Sequence, residues 1–253
     1  TMRDAAVAQL ANDEMATALQ VENLSVSFGQ KSVLNGITFE LPIGVHALVG
    51  SNASGKSTLL NALAGAHRLG VTGQASLWGT DLLTRSGRKG RIAFLPQRSE
   101  FPKRTTVQEC LDYAAWLYRV PKAERRARSR SIATRFQLHP EARVSELSGG
   151  TIARVALAQI WVSSTPLTLL DEPVAGIDTE FRELIRQEVS ERGKESVVLM
   201  ATHHHGDIAK ICDQVLVMDK GRLVHQGDSG SFLERGDGDV EAAMHNVLAT
   251  RRS

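Results

Sequence analysis

Nine consecutive residues, Gly50-Ser51-Asn52-Ala53-Ser54-Gly55-Lys56-Ser57-Thr58, fit the pattern Gly-x-x-x-x-Gly-Lys-Ser/Thr. They follow an apolar run, Val45 to Val49, and precede a helix-like run, Leu59 to Ala64. A strand that ends in a glycine-rich loop and feeds a helix turns successive backbone N–H groups toward one point, and the helix N-terminus adds partial positive charge there. That environment suits a polyphosphate. Gly50 and Gly55 allow backbone angles and close approach that a Cβ would block. Lys56 can reach β- and γ-phosphates, and the Ser57 hydroxyl can hold Mg²⁺.

Two further groups extend the chemistry. Leu170-Asp171-Glu172-Pro173 ends a second apolar run with adjacent acids. Beside a phosphate loop, Asp171 is suited to hold Mg²⁺ and Glu172 to orient or deprotonate an attacking water. Leu147-Ser148-Gly149-Gly150 reads as a turn opening a helix, with Ser148 as its cap. Ser148 lies 92 residues after Lys56 and 23 before Asp171.

Positioning these groups takes alternating strands and helices. Leu19 to Phe28 alternates apolar and polar residues, Gly29 to Ser32 reads as a hairpin turn, and Val33 to Leu41 as its return strand. Short strands are expected at Gly73 to Gly79 and Arg91 to Leu95, and buried parallel strands at Leu167–Leu170, Val197–Met200 and Gln214–Met218. From Thr106 to about Leu138 the rhythm is helical, with the strongly basic run Lys122 to Arg130 read as a solvated face. Such alternation implies a sheet covered by helices.

The 253 residues suffice for one large α/β domain, 42% hydrophobic and 23% charged, with a net charge of only +2. Nothing in that charge asks for nucleic acid, and no nucleic acid partner is expected. Cys110 and Cys212 lack metal spacing and suggest buried packing in a reducing compartment. No run approaches the ~20 apolar residues of a membrane span, and the N-terminus lacks a secretory pattern.

In order and spacing, the chain from about Leu19 to Gly227 resembles the ATP-binding subunits of ABC transporters. Gly50–Thr58 is similar to their Walker A loop, Leu147–Gly150 to their signature, and Leu167–Glu172 to their Walker B strand. Gln97 matches the Q-loop glutamine, Val174 to Asp178 the D-loop, His203 the switch histidine and Phe28 the adenine-stacking aromatic. The resemblance implies an α/β fold: a P-loop NTPase core (19–98 and 145–230) with an antiparallel β subdomain and an inserted helical subdomain (99–144). An extension (1–18) and a C-terminal tail (231–253) flank it. It also implies ATP and Mg²⁺ as ligands. Gly50 to Thr58, Phe28, Ser148, Gly149 and Gly150 would bind nucleotide. Ser57, Gln97 and Asp171 would hold the metal, and Glu172, His203 and Gln97 would serve catalysis. Two such subunits would sandwich two ATP molecules, the signature of one meeting the γ-phosphate held by the other. Both would dock on a transmembrane permease at the cytoplasmic face of the membrane.

Four positions depart from the family pattern: Thr151 where glutamine is usual, Ala53 for a loop glycine, Gly176-Ile177 in the D-loop, and His204 for an acid. Ala53 is harmless if its φ is negative. In His203-His204-His205, neighbours on an extended segment would point to opposite sides, leaving only His203 and His205 to share a ligand, and metal binding there is not favoured. Trp78, Trp116 and Trp161 are expected in cores or subunit contacts. Thr105 to Leu117, Val120-Pro121 and Ile208 to Val215 resemble ABC-2-type export ATPases. That favours export of a drug, peptide or lipid-like molecule. Uptake of a metal ion or small solute, and a low-turnover subunit paired with an active one, are the alternatives.

Overall fold

A computed structural model describes residues 17–66 and 70–250, with only the backbone of His205. Most of the expected N-terminal extension and the last three residues of the tail lie outside the described residues.

The larger sheet has the order β10-β9-β3-β8-β7-β6, formed by β3 (Gly44–Gly50), β6 (Ile92–Leu95), β7 (Leu167–Asp171), β8 (Val197–Ala201), β9 (Gln214–Asp219) and β10 (Arg222–Asp228). All its pairings are parallel except β9–β10. Every residue of β7 and β8 is buried, as befits strands covered on both faces. The smaller sheet is antiparallel, order β2-β1-β4-β5, from β1 (Leu19–Phe28), β2 (Lys31–Leu41), β4 (Val71–Leu77) and β5 (Thr80–Asp81). The turn joining β1 to β2 is only Gly29-Gln30, so Lys31 and Ser32 belong to the strand.

Strand pleating divides the interior into two cores. Leu48, Leu169 and Leu199 face helix α1 (Lys56–Ala64) and the apolar face of the smaller sheet. Val49, Leu170 and Met200 face the opposite core, built on α3 (Val107–Leu117), α4 (Lys122–Arg135), α5 (Gly149–Trp161) and α6 (Thr179–Gly193). Helix α2 (Arg85–Arg88) follows β5, α7 (His205–Ile211) follows β8, and α8 (Ser229–Glu234) and α9 (Val240–Ala249) end the described chain. Cys110 and Cys212 are buried and unpaired with each other, as expected.

The helical run after Thr106 is broken in two. A capping box starts α3, with Thr106 Oγ1 accepting from Glu109 N while Thr106 N donates to the Glu109 carboxylate. Arg119 at φ +62° and Pro121 then end it, since neither conformation continues a helix. Helix α4 joins the main body at its far end. Phe136 is fully buried against Trp161, centroids 5.7 Å apart, and Phe181, 6.0 Å. Beside them Arg135 pairs with the buried Glu188, whose carboxyl is pushed up by burial and drawn back by Arg135. Of the three tryptophans only Trp161 is buried; Trp78 and Trp116 are exposed.

Phe136→Ala should cost about 3–5 kcal/mol, because it empties the aromatic junction between α4, α5 and α6. Equilibrium denaturant unfolding measures this, and a loss below about 1 kcal/mol would mean that the junction collapses to fill the space.

Candidate active site

Parallel strands deliver their C-terminal ends to one edge of the larger sheet, where α/β folds bind ligands. The phosphate loop leaves β3, Asp171 closes β7, Gln97 follows β6 by two residues, and His203 follows β8 by two. Gly50 has φ +155°, and a Cβ there would lie 2.3 Å from the Met218 carbonyl oxygen and 2.6 Å from Ser54 Oγ. Gly55 caps α1 at φ +108° without a side-chain bond, and no acid occupies the first turn. The first N–H groups of α1 therefore remain available to an anion.

Lys56 Nζ donates to Gly50 O (2.7 Å) and Ser51 O (3.1 Å), folding the ammonium back over its own loop. Burial lowers its pKa, against the pull of Glu172 and Asp171. Asp171 is 3% exposed, and burial raises its pKa while a hydrogen bond with Ser57 opposes the rise. Two hard oxygen donors, the Ser57 hydroxyl and the Asp171 carboxylate, thus meet where burial disfavours the charged carboxylate and a dication would favour it. This set fits magnesium, which takes one or two protein oxygens and completes its shell with water and phosphate.

Glu172 has φ +54° and donates its backbone N–H to Ala201 O (3.0 Å), anchoring β7's end to β8. Its Oε1 lies 2.9 Å from His203 Nδ1, and its Oε2 is buried without a partner. A buried lone carboxylate oxygen at this edge is suited to accept a proton from water. His203 itself is exposed, its ring centroid 4.6 Å from that of His204. The two rings therefore lie side by side, against the expectation of opposite faces, although His204 keeps an extended backbone just before α7. Among the described residues no three His, Cys, Asp or Glu side chains converge as a metal cage.

A cavity of about 490 Å³ takes in Asn52 to Thr58, Gln97, Asp171 and Glu172. It also takes in Lys31, Ser32, Val33, Lys220 and Gly221, which the motifs did not single out. These come from two hairpins remote in sequence, knitted to the loop by Gly221 N to Ser54 O (2.9 Å) and Asn35 N to Gly221 O (2.8 Å). Only the expected hairpin at Gly29 to Ser32 hinted at them.

Of the expected site residues, Gly50, Ser51 and His203 border that cavity only through their neighbours Asn52 and Glu172, and Phe28, Ser148, Gly149 and Gly150 also lie outside its lining. Phe28 is 46% exposed at the end of β1. Ser148 caps α5, accepting from Thr151 N (3.2 Å), and the Thr151 hydroxyl lies 2.9 Å from Ser148 Oγ. The helix start is exposed at Ser148 and Gly149 and has no acid in its first turn, which makes it a second anion-seeking end; Gly150 lies beside the Gly176 carbonyl of its own chain, which a Cβ would approach to 3.5 Å. Arg154, further along α5, bonds Asp178 Oδ2 (2.6 Å), and Asp178 caps α6. Arg186 on α6 bonds the buried Asp207 of α7 (2.6 Å), so one helix links the Ser148 and His203 segments.

A family model described as ABC transporter matches residues 34–175, more than half of the sequence. The chain belongs to the ABC transporter family. Among ATP-binding relatives, it is 31% identical over 217 residues to the Nod factor export ATP-binding protein I of Rhizobium meliloti (strain 1021), covering 83% of this chain and 64% of that protein. It is 33% identical over 224 residues to the zinc transport system ATP-binding protein TroB of Treponema pallidum (strain Nichols), covering 84% and 82%. The chain thus spans just under two thirds of the Rhizobium relative's length. A solved ATP-binding subunit of an ABC transporter superposes with TM-score 0.82 at 23% identity, over 92% of this chain and all of that one. A dimeric ATP-binding cassette bound to ADP and Pi superposes with TM-score 0.74 at 20% identity, over 83% and 98%. These likenesses establish the ABC ATPase fold, a P-loop NTPase core.

One family departure has a visible consequence. Ala53 sits at φ +63°, the left-handed region, so the substituted glycine is missed. Ala53→Gly should stabilise the chain by about 0.5–1 kcal/mol net of its unfolded-state entropy, raising Tm by roughly 1–3 °C. Differential scanning calorimetry reads this, and a lower Tm would show that the Ala53 methyl contributes packing that outweighs its strain.

Proposed function

We propose that the chain is the ATP-hydrolysing motor subunit of an ABC transporter, working as a dimer on a transmembrane permease. The observation that carries this is the lone Glu172 Oε2 beside the Asp171–Ser57 pair, at the mouth of a glycine loop shaped for phosphates. Gly50 to Thr58 would wrap the phosphates, with Lys56 exchanging its loop carbonyls for phosphate oxygens. Ser57, Asp171 and Gln97 would hold magnesium, which when bound neutralises charge on the phosphate oxygens. Glu172 would take a proton from the attacking water, and the Glu172–His203 hydrogen bond would hold both groups until nucleotide arrives. Phe28 would stack on the base.

The exposed start of α5 favours a homodimer. Ser148, Gly149 and Gly150 are an anion site with no phosphate loop opposite them in their own chain, and a second copy would supply one. The ADP-bound relative, itself dimeric, supports this arrangement. Residues 99–144 would form the helical subdomain between the two core segments, 19–98 and 145–230. An apolar groove of about 500 Å³, lined by Phe94, Phe101, Tyr113, Leu117 and Ile160, would receive the permease. Attachment at the cytoplasmic face would run through that partner; among the described residues no helix is long and apolar enough to cross a membrane.

The likeness to the Nod factor export protein supports export of a drug, peptide or lipid-like molecule. The zinc-transport relative supports a second reading, uptake of a metal ion or small solute. The Thr151–Ser148 hydroxyl contact motivates a third, a low-turnover subunit paired with an active one.

Glu172→Gln should lower steady ATP hydrolysis by the purified chain at least about 100-fold while leaving ATP binding intact, and EDTA should abolish wild-type turnover. Phosphate release and equilibrium nucleotide binding measure the two sides. Wild-type rates in the Gln variant would remove Glu172 from the chemistry, and absence of turnover in the wild-type chain would favour the low-turnover reading.

A further inference from the structure

Residues 99–144 carry ten Lys or Arg against five Asp or Glu, whereas the whole chain is only +2. Such asymmetry within one chain points to an anionic partner. The surplus is concentrated on α4. Three of its cations are tied inward: Arg125 Nε donates to Val120 O (2.8 Å), Arg128 to Ser164 Oγ (2.8 Å), and Arg135 pairs with Glu188. The others, Lys122, Arg126 and Arg130, are exposed and recur at every fourth residue. They form one row about 12 Å long on the helix surface.

Among the described residues no acid pairs with this row. Glu124 is the helix's only acid, and two residues of helical rotation carry it to the other side of the axis from Lys122. Like charges four apart repel, so the row destabilises the isolated helix rather than supporting it. At its start the row meets the corner where Arg119 is exposed, and just beyond stands Trp116, 55% exposed, its ring 5.7 Å from that of Tyr113. Exposed aromatic rings beside a cluster of cations are suited to a lipid–water boundary, rings among headgroups and cations on anionic phosphates.

We propose that Trp116, Arg119 and the Lys122–Arg126–Arg130 row bind an anionic bilayer surface directly. The inference rests on the reading of this chain as a membrane-transporter subunit; Lys122, Arg126 and Arg130 do not line the apolar groove, whereas Tyr113, the ring partner of Trp116, lies on its border. Lipid contact here would hold α3 and α4 against the membrane beside the permease, and would give the chain some membrane affinity of its own.

The test is co-sedimentation of the purified full chain, without permease or nucleotide, with two vesicle preparations. One is phosphatidylcholine alone; the other contains about 30% phosphatidylglycerol, enough for a substantial negative surface potential. Binding is expected only to the anionic vesicles and should weaken as salt rises. Lys122→Glu/Arg126→Glu/Arg130→Glu should lower the partition coefficient about 100-fold or more, and Trp116→Ala should lower it to a lesser extent. Equal binding to both vesicles, binding to neither, or a triple variant that binds like wild type would overturn the proposal. A triple variant that keeps vesicle binding but no longer co-purifies with the permease would assign the row to an acidic protein loop instead, and would equally overturn it. Circular dichroism verifies the variant's fold, and its ATP hydrolysis in solution reports separately on the transporter reading.

Discussion

Gly50 passes the Met218 carbonyl so closely that a Cβ would come within 2.3 Å, and the working edge of the sheet depends on that approach. The contact lets β3 turn into the phosphate loop without being pushed off β9. With β3 held between β8 and β9, the ends of β8, β7 and β6 fall in order beside the loop. His203, Asp171 with Glu172, and Gln97 are then carried to one edge by strand register alone. A larger residue at position 50 would displace the loop, and with it the meeting of Lys56, Ser57 and Asp171.

The edge is electrostatically unfinished. Lys56 is partly desolvated and bonded to its own loop carbonyls, Asp171 is buried with its pKa raised, and Glu172 keeps one oxygen buried and unpartnered. Burying Asp171 and the lone Glu172 oxygen is costly, and a polyphosphate with a dication would relieve it. At the start of α5 the Ser148 hydroxyl already accepts from Thr151 N, and the exposed first turn carries no acid. Under the proposed function, two incomplete anion sites on one chain would be satisfied together if two copies faced each other. Helix α6 is bonded to α5 through Arg154–Asp178 and to α7 through Arg186–Asp207, which connects the Ser148 and His203 segments.

Much of this was legible in the sequence, for reasons that can be named. The buried strands are short apolar runs, so β3, β7, β8 and β9 were found within a residue or two. The phosphate loop and the Asp171–Glu172 pair are contiguous, so their chemistry follows from residue type and spacing. Groups assembled by tertiary contact were not legible. Lys31 and Lys220 reach the cavity from separate hairpins, and Arg186 meets Asp207 across 21 residues. A local rule also failed where the backbone is strained, at Ala53 with its positive φ, and the His203 and His204 rings lie close together although His204 keeps an extended backbone. Pro121 marked a break within the helical run, but the left-handed turn at Arg119 that accompanies it is not revealed by any pattern of apolar residues.

The claim on which the rest turns is that ATP completes its site only between two copies of this chain. Light scattering of the Glu172→Gln chain with saturating ATP and magnesium tests it most directly. A mass that doubles from 27.5 kDa on adding ATP, and returns when nucleotide is removed, is the expected result. A mass that stays at 27.5 kDa while ATP is demonstrably bound would contradict it.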